Sequence, residues 1–545
     1  MSGVDLVLLS QTIFTGTSDK TISGGIAVSG NKIVKVGTRE EIEPLISENT
    51  CIRELGNALV TAGFCDAHAH YMEGATLSSE HFCNTLDKAG SEEECVQMMK
   101  EFAVKYPDLP RYFGYGWLPA YWGGSAAMPT KNSLDLAFPD KPVYLRAVDG
   151  HSEWLNSKAL EESGYTKEWE PEYGFVDKLE NGELSGLVRE KGDVLARLID
   201  TRLPEEEMEM LQERMMKQMN RKGLTSCTEM SAVLPEKIDE EYQYVKKLEE
   251  NGKCTLRIFL YPGTDVRPER ISEMESYREK YHSDLLQIAG LKGFADGVTS
   301  TYTAALMEPY LDKPETCGVL NYPEEQFQEW TREANRQGYG VRVHCIGDYA
   351  VHMMLDACEK SNQVNDNADL RNSIEHIEVI DPSDIPRFQK LGVVPSMQPL
   401  HLPLDRFDKL FRMGKEKSRN EWAMKSILQT GAVLAAGTDY PIADYDPIPN
   451  IYMAVTRKGL DGVQYGRESL TEKLTVPEIL RAYTYGGAYV NHMEEKLGTL
   501  EEGKYADLTV IDKDLLHIDP EEILNSEVIM TVVNGTVVYE KEQQK

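Results

Sequence analysis

The chain has 545 residues, 41% of them hydrophobic, enough to bury the core of one large globular domain with additions or of two to three ordinary domains. Its 58 Lys and Arg residues are outnumbered by 90 Asp and Glu, and the formal net charge of -32 repels phosphate backbones and anionic lipid surfaces. The composition therefore argues against nucleic-acid and membrane partners.

The start of the chain and its cysteines bear on where the protein works. The segment MSGVDLVLLSQTIFTG has no basic n-region and too short an apolar stretch for a signal peptide, and no apolar run approaches the ~20 residues of a membrane span. Nine cysteines with no C-x-x-C pair suit scattered reduced thiols better than a disulfide framework. We therefore expect a cytoplasmic protein.

Both ends of the chain predict short β-strands. Near the N-terminus, DLVLLSQTIFTG and GIAVSGNKIVKVG alternate apolar and polar residues around a Ser-Gly-Asn turn. Near the C-terminus, YADLTVIDKD and VIMTVVNGTVVYE contain another strand pair, with Asn534 and Gly535 as its hairpin turn. Because neither end alone has enough strands to be stable, we expect residues 1–58 and 491–545 to combine in one small sheet domain.

The middle of the chain, from about residue 59 to 490, alternates short apolar strands with helical stretches, a pattern typical of parallel β/α units. Eight strands are predicted: LVTAGFCDAH, LTSCTEM, TLRIFLY, LQIAGLKGFAD, VRVHC, SIEHIEV, VVPSM and VLAAGTD. Eight such units favour an α/β fold of the (β/α)8 TIM-barrel type. Roughly 150 residues separate the first two strands, far more than a normal βα connection, so we expect an inserted subdomain at about 72–222 above the barrel mouth.

Residues that could hold a metal ion cluster at strand ends, where parallel β/α barrels gather their functional groups. Six such residues fall at or near the ends of five predicted strands: His68, His70, Lys292, His344, His376 and Asp439. Neutral imidazoles suit zinc and similar divalent ions, and a carboxylate can both ligate the ion and take a proton from bound water. A bound divalent ion lowers the pKa of water to roughly 7, which supplies hydroxide at neutral pH. The pattern predicts a hydrolytic metal site.

Lys292 is the unusual member, because an ammonium group cannot ligate a cation. Desolvation readily lowers the pKa of a lysine, and the neutral amine can then react with carbon dioxide to give an anionic carbamate whose two oxygens could bridge two metal ions. A solvated or substrate-binding cation is the alternative. The residues by themselves leave both interpretations open.

Several motifs together resemble the metal-dependent amidohydrolase superfamily, and within it the YtcJ-like branch that includes N-substituted formamide deformylases. They are the strand-end HAH, LKGFADG followed by AALMEPY, the VHCIGD and IEH segments, GTDYP, and LGTLEEGKYADLTVID. The resemblance implies a distorted β/α barrel with a small β-sandwich made from both termini. It also implies one or two divalent ions, with zinc expected: His68 and His70 on one ion, His344 and His376 on the other, and carboxylated Lys292 between them. Asp439 matches the family's ligand and general base.

Other residues are predicted to surround the metal. The segment DGHSEWLNSKAL resembles the same branch, in which a histidine at the position of His151 contacts the substrate or its developing oxyanion; a capping or surface role is the alternative. Trp117 and Trp122 lie in the aromatic stretch YFGYGWLPAYWGG, which suits a wall over an apolar substrate but also an ordinary core. Gln398 and His401 follow the seventh strand and are expected to line the pocket.

These patterns predict a metal-dependent hydrolase that cleaves an amide-type carbon-nitrogen bond, other than a peptide bond, in a small molecule. The resemblance alone makes an N-acyl or N-formyl amide the preferred substrate. Two alternatives remain: a deaminase of a ring amidine, and a non-catalytic ligand-binding regulatory protein. The oligomeric state is left open, and a homo-oligomer is compatible with the sequence.

Overall fold

The computed structural model describes residues 4–122, 128–199, 203–230, 237–263, 268–366, 368–404 and 408–542. Within these ranges the strands form one mixed eight-stranded sheet, one mixed five-stranded sheet, and two parallel sheets of four and five strands. No helix in this part of the chain is long and apolar enough to cross a membrane.

Strands are numbered in chain order. They are β1 Leu6–Phe14, β2 Ile22–Ser29, β3 Lys32–Gly37, β4 Cys51–Glu54, β5 Leu59–Ala62, β6 Phe64–Ala69, β7 Tyr112–Trp117, β8 Val143–Ala147, β9 Ser152–Leu155, β10 Phe175–Lys178, β11 Leu184–Arg189, β12 Leu224–Glu229, β13 Arg257–Leu260, β14 Leu286–Ile288, β15 Gly290–Phe294, β16 Gly340–Cys345, β17 Ser373–His376, β18 Val394–Met397, β19 Ala435–Ala436, β20 Leu508–Ile511, β21 Val528–Val533 and β22 Thr536–Glu540.

The α-helices are numbered in the same way. They are α1 Arg39–Ile42, α2 Tyr71–Leu77, α3 Glu92–Lys105, α4 Lys131–Ala137, α5 Ser157–Ser163, α6 Glu205–Arg221, α7 Ile238–Glu250, α8 Pro268–Lys280, α9 Glu324–Arg336, α10 Asp348–Asn365, α11 Ile385–Leu391, α12 Asp408–Ser418, α13 Met424–Gln429, α14 Pro447–Thr456, α15 Val476–Arg481 and α16 Gly487–Val490.

The mixed eight-stranded sheet contains strands from both ends of the chain. Its strand β5 pairs in parallel with β1 and antiparallel with β20. Leu8, Val60 and Leu508 are fully buried in one apolar cluster on this sheet. Asn534 and Gly535 both adopt positive φ between β21 and β22, as a tight hairpin turn requires. The two chain ends therefore share one sheet, and its description as a sandwich stays a prediction.

The predicted first strand, residues 59–68, is two strands in the structure. β5 belongs to the terminal sheet, whereas β6 pairs with β12 in a parallel sheet. Gly63 lies between them, and a Cβ atom at this position would be 2.2 Å from Thr225 Oγ1, so the chain can cross here only with glycine. Because both strands are buried, the apolar run in the sequence shows no break where the chain changes sheets.

The two parallel sheets follow each other along the chain. Their orders are β14-β13-β12-β6 and β15-β16-β17-β18-β19, and the predicted fourth strand supplies both β14 and β15. At one junction Gly263 forms a parallel bridge with Lys292, and at the other Ala69 forms one with Tyr440. The strand ends that carry His68 and Lys292 are thus brought into one TIM-barrel-like α/β arrangement.

A separate sheet lies within the long segment between β6 and β12. Its order is β10-β11-β9-β8-β7, and its apolar core contains Trp117, Val143 and Trp154. The segment ends in α6, where Met208, Leu211, Met215 and Met219 form a buried stripe at helical spacing. The segment thus packs a core of its own beside the strand ends.

Candidate active site

A cavity of about 380 Å³ opens where the parallel strands end. All six predicted ligands line it, together with the predicted oxyanion residue: His68, His70, Lys292, His344, His376, Asp439 and His151. The residues come from strand ends that are up to 371 positions apart in the sequence, and parallel strand packing brings them together.

Asp439 lies at the centre of the histidines. Its Oδ1 is 2.9 Å from His70 Nε2 and 3.3 Å from His68 Nε2. Its Oδ2 is 3.8 Å from His401 Nε2 and 4.0 Å from His376 Nδ1. Donor atoms within 4.8 Å of one another form two groups that share Asp439, one with His68 and His70 and the other with His376 and His401. His401, predicted to line the pocket, is therefore placed as a possible ligand.

The backbone around these residues is held in unusual conformations. His376 and Asp439 have φ values of 74° and 60°, in the left-handed region that non-glycine residues rarely adopt. A residue in this region is strained by about 1–3 kcal/mol, which the surrounding structure must offset. Gly437 permits the close approach of β19 to β6, because a Cβ atom there would lie 2.5 Å from the His68 backbone nitrogen. Strand packing thus aims both side chains into the cavity.

A buried hydrogen-bond chain fixes the orientation of His68. His68 Nδ1 lies 2.6 Å from Glu375 Oε2, and Glu375 Oε1 accepts hydrogen bonds from Arg342 Nε at 2.8 Å and Ser373 Oγ at 2.8 Å. Burial opposes ionisation of Glu375, but Arg342 and His68 outweigh it and hold the pKa of this carboxyl far below its usual range. An ionised Glu375 accepts a hydrogen bond from the Nδ1–H of His68, so the lone pair of His68 Nε2 faces Asp439, as a metal ligand requires.

Lys292 is almost fully buried, and its Nζ lies 4.7 Å from the centre of the Phe294 ring. Burial lowers the pKa of Lys292 to about 8, so part of the population carries a neutral amine near neutral pH. Lys292 Nζ, His68 Nε2 and His376 Nδ1 have no hydrogen-bond partner among the residues that the structure describes. Three orphaned polar atoms in one buried place fit a cation beside them and an anionic carbamate on the lysine.

His344 lies outside both donor groups. Its Nε2 is 3.2 Å from the Gly297 carbonyl oxygen and 3.8 Å from Asp296 Oδ1, although its ring centre is only 4.5 Å from that of His376. Asp296 accepts three backbone N–H hydrogen bonds from the two loops that flank His344, and burial raises its pKa to about 8. The predicted pairing of His344 with His376 on one ion stays a prediction.

His151 reaches the cavity from the loop after β8. Its ring centre is 4.8 Å from that of His344, and its Nδ1 is 2.8 Å from Glu190 Oε2. Burial opposes protonation, but the Glu190 carboxylate outweighs it and raises the pKa of His151 to about 9. A cationic imidazole at this point can donate a hydrogen bond to negative charge that develops in the cavity.

None of the four predicted substrate-binding residues lines this cavity, so far as the described ranges show; His401 instead lines a smaller neighbouring cavity that shares His376 and Asp439 with it. Trp117 is fully buried in the core of the five-stranded sheet, where its indole N–H donates to the Leu145 carbonyl at 2.7 Å. Trp122 packs beside it at a ring-centre distance of 6.2 Å, and Gln398, directly after β18, is fully buried. The aromatic side chains that do line the cavity are Tyr115, Trp169, Tyr173, Phe294 and Tyr322.

Comparison with known proteins adds independent findings. The sequence profile of the amidohydrolase family matches residues 52–539. The chain is 29% identical over 531 residues to the putative amidohydrolase YtcJ of Bacillus subtilis, covering 97% of this chain and 98% of that protein. It is 24% identical over 555 residues to the N-substituted formamide deformylase of Arthrobacter pascens, covering 98% of each. An uncharacterized metal-dependent hydrolase from Pyrococcus horikoshii superposes with a TM-score of 0.74 and 28% identity, covering 95% of this chain and 99% of that one.

Proposed function

Because the chain belongs to the amidohydrolase family, and so to hydrolases of carbon-nitrogen bonds, we propose that it removes an N-acyl or N-formyl group from a small amine. The convergence of His68, His70 and Asp439 at the end of the cavity carries this proposal. The aromatic lining supports an amine with an apolar or aromatic substituent. The similarity to a formamide deformylase supports a formyl group as the first acyl group to test.

We propose that His68, His70 and Asp439 hold a divalent cation, with zinc as the first candidate, and that His344 and His376 serve a second position. His401 is the alternative donor beside His376. When bound, such a cation acidifies a water molecule and polarises a carbonyl group. The proposed carbamate on Lys292 would form from carbon dioxide and the neutral amine with release of one proton.

In the proposed reaction, Asp439 moves the proton. Burial opposes its ionisation, but His68 and His70 outweigh it and hold the pKa of Asp439 well below its usual range, so the carboxylate is available at neutral pH. Asp439 accepts a proton from the attacking water and passes it to the leaving nitrogen. His151 donates a hydrogen bond to the oxygen that becomes negative in the tetrahedral state. The aromatic wall holds the amine substituent and excludes water from this face.

We also propose the domain division predicted from the sequence: residues 1–58 with 491–545, and residues 59–490 with an insertion at about 72–222. Strand β5 lies inside the terminal sheet, between β1 and β20. This pairing supports moving the first domain boundary from residue 58 to residue 62. The cavity lining supports a substrate-binding role for the insertion, since Tyr115, Trp169 and Tyr173 come from it.

A cytoplasmic location belongs to the same proposal. All nine cysteines are free thiols in the structure, six of them buried and one partly buried. Reduced thiols are typical of the cytosol.

The test is an assay of purified enzyme on N-formyl and N-acetyl arylalkylamines, with ring amidines alongside. We expect release of formate or acetate, loss of activity with a chelator, and recovery on addition of zinc. His68→Ala should abolish turnover, whereas His517→Ala, which removes an exposed histidine paired with Asp514, should leave it unchanged. Full turnover after metal removal would contradict the proposal. Release of ammonia from ring amidines alone would assign the enzyme to deaminases.

A further inference from the structure

Glu190 links the inserted segment to the strand ends. It follows β11, its carboxylate is buried, and its backbone adopts a positive φ of 53°. Oε2 accepts a hydrogen bond from His151 Nδ1 at 2.8 Å, and Oε1 accepts one from Thr303 Oγ1 at 2.7 Å. The Glu190 backbone N–H also donates to the His151 carbonyl at 3.0 Å. One residue thus binds both the ring and the backbone of His151 and anchors them to the loop after β15.

The loop after β15 is shaped to receive this carboxylate. A Cβ atom at Gly297 would lie 2.1 Å from Glu190 Oε1 and 2.2 Å from Thr303 Oγ1, so the carboxylate fits only because residue 297 is glycine. Thr303 Oγ1 is itself held by the Val298 backbone N–H at 2.9 Å. Thr303, which anchors the Glu190 carboxylate, is therefore held in place by its own loop rather than by His151.

A second contact holds the backbone of His151 at the same loop. Asp149 Oδ1 accepts the His151 backbone N–H at 3.0 Å, and its Oδ2 accepts a hydrogen bond from Ser300 Oγ at 3.2 Å. Backbone and ring of His151 are thus tied to residues 297–303 by two different carboxylates. With Nδ1 engaged by Glu190, Nε2 is the ring nitrogen left for a ligand in the cavity.

We infer that Glu190, anchored by Thr303, is a positioning residue that holds His151 with its Nε2 available to the carbonyl oxygen of the substrate. The inference deepens the proposed function and rests on it, because His151 serves there as the oxyanion donor. A hydrogen-bond donor contributes most to catalysis when its orientation is set before the reaction begins. Glu190 acts through His151, because its two carboxylate oxygens are engaged by His151 and Thr303.

The first test is a double-mutant cycle on N-formylphenethylamine with zinc-loaded enzyme. Glu190→Ala should lower kcat on the order of 10-fold to 100-fold, with KM changed by less than about twofold, because an oriented donor acts in the transition state. In the His151→Ala background, Glu190→Ala should have almost no further effect. Glu190→Gln keeps a hydrogen-bond acceptor for Nδ1 but removes the negative charge beside His151, so it should restore only part of the lost kcat.

The control is Asp177→Asn, which removes a carboxylate from the same sheet, where it accepts a hydrogen bond from Arg189 at 2.8 Å. It should leave kcat and KM unchanged. Circular dichroism and zinc content should match wild type in every variant. If Glu190→Ala does not fold, Thr303→Val decides instead, since it removes the anchor and should lower kcat in the same way. A Glu190 effect that persists undiminished without His151, or no effect at all, would overturn the inference.

A second readout needs no turnover. Benzylphosphonate offers tetrahedral anionic oxygens, and its affinity can be measured by calorimetry on the zinc-loaded protein. Glu190→Ala should weaken this affinity by about tenfold, and the loss should vanish in the His151→Ala background. If wild-type enzyme hydrolyses no amide, the proposed function fails, and phosphonate binding alone then decides the inference. Equal phosphonate affinity in wild type and Glu190→Ala would refute it.

Discussion

Replacing Glu375 by Gln tests the buried chain that orients His68. Glu375 is fully buried and accepts hydrogen bonds from His68, Arg342 and Ser373 at once. Glutamine keeps the size of the side chain but removes its charge and leaves the Arg342 guanidinium buried without a counter-ion. Breaking a buried ion pair in this way destabilises a protein by about 3–5 kcal/mol. Arg342 keeps its hydrogen bonds to Ala67 O and Ser396 Oγ, so we expect the lower end of this range.

The same substitution should weaken metal binding. Loss of a partner that orients a metal ligand lowers metal affinity by about 10-fold to 100-fold, or roughly 1.4–2.7 kcal/mol. Urea unfolding of metal-free protein, prepared with a chelator, measures the loss of stability. Competitive zinc titration of the folded protein measures the loss of metal affinity. Glu329→Gln is the matched control, because it also removes a carboxylate bound to an arginine, Arg332 at 2.6 Å, but at an exposed site. Equal urea midpoints and equal zinc affinities for the two variants would refute the reasoning.

Three further substitutions follow from the site. Asp439→Asn should lower kcat by about 10²–10⁴-fold yet keep the fold, because asparagine tolerates the φ of 60° at this position. Turnover by this variant at the wild-type rate would exclude Asp439 as the proton carrier. Lys292→Ala should lose metal and activity, and added formate or propionate should restore part of both. In the wild type, ¹³C-bicarbonate labelling of Lys292 should increase from pH 7 to pH 9, because the neutral amine gains population as pH rises through the pKa of about 8. Gly437→Ala should destabilise the fold by about 1–3 kcal/mol through its contact with the His68 backbone, and an unchanged melting temperature would contradict the close approach.

The convergence of the candidate ligands on one cavity could be predicted because strand ends obey a simple rule. His68, His344 and Asp439 each close an apolar run, and the carboxyl ends of parallel strands meet at one end of the sheet whatever the distance in sequence. The shared sheet of the two chain ends could also be predicted, because the few short strands at each terminus need partners to form a stable sheet. These features depend on local pattern plus one rule of topology, so one sequence suffices to find them.

The surroundings of the candidate ligands depend on contacts that no local pattern records. His68 and Glu375 are 307 positions apart, and His151 meets Glu190 across 39. The sequence signal for such buried contacts is a charged residue within an apolar strand, as in the Glu of IEH and the Arg of VRVHC. A charged residue must find a partner when it is buried.

Aromatic residues were the least predictable part of the site. Trp117 and Trp122 stand in the densest aromatic stretch, yet both pack in a core, whereas Trp169 and Tyr173 line the cavity from an irregular segment. Aromatic density is the same for a core and for a binding wall, so it cannot separate them. Whether a ring is covered by its own subdomain depends on how the insertion folds, which its strand pattern does not show.

Anomalous diffraction at the zinc absorption edge from crystals of the zinc-loaded protein tests the proposed metal site most directly. We expect a peak in the cavity within about 2.0–2.2 Å of His68 Nε2, a His70 nitrogen and an Asp439 oxygen. Peaks only elsewhere on the molecule, with these three side chains in direct contact and no ion between them, would contradict this assignment.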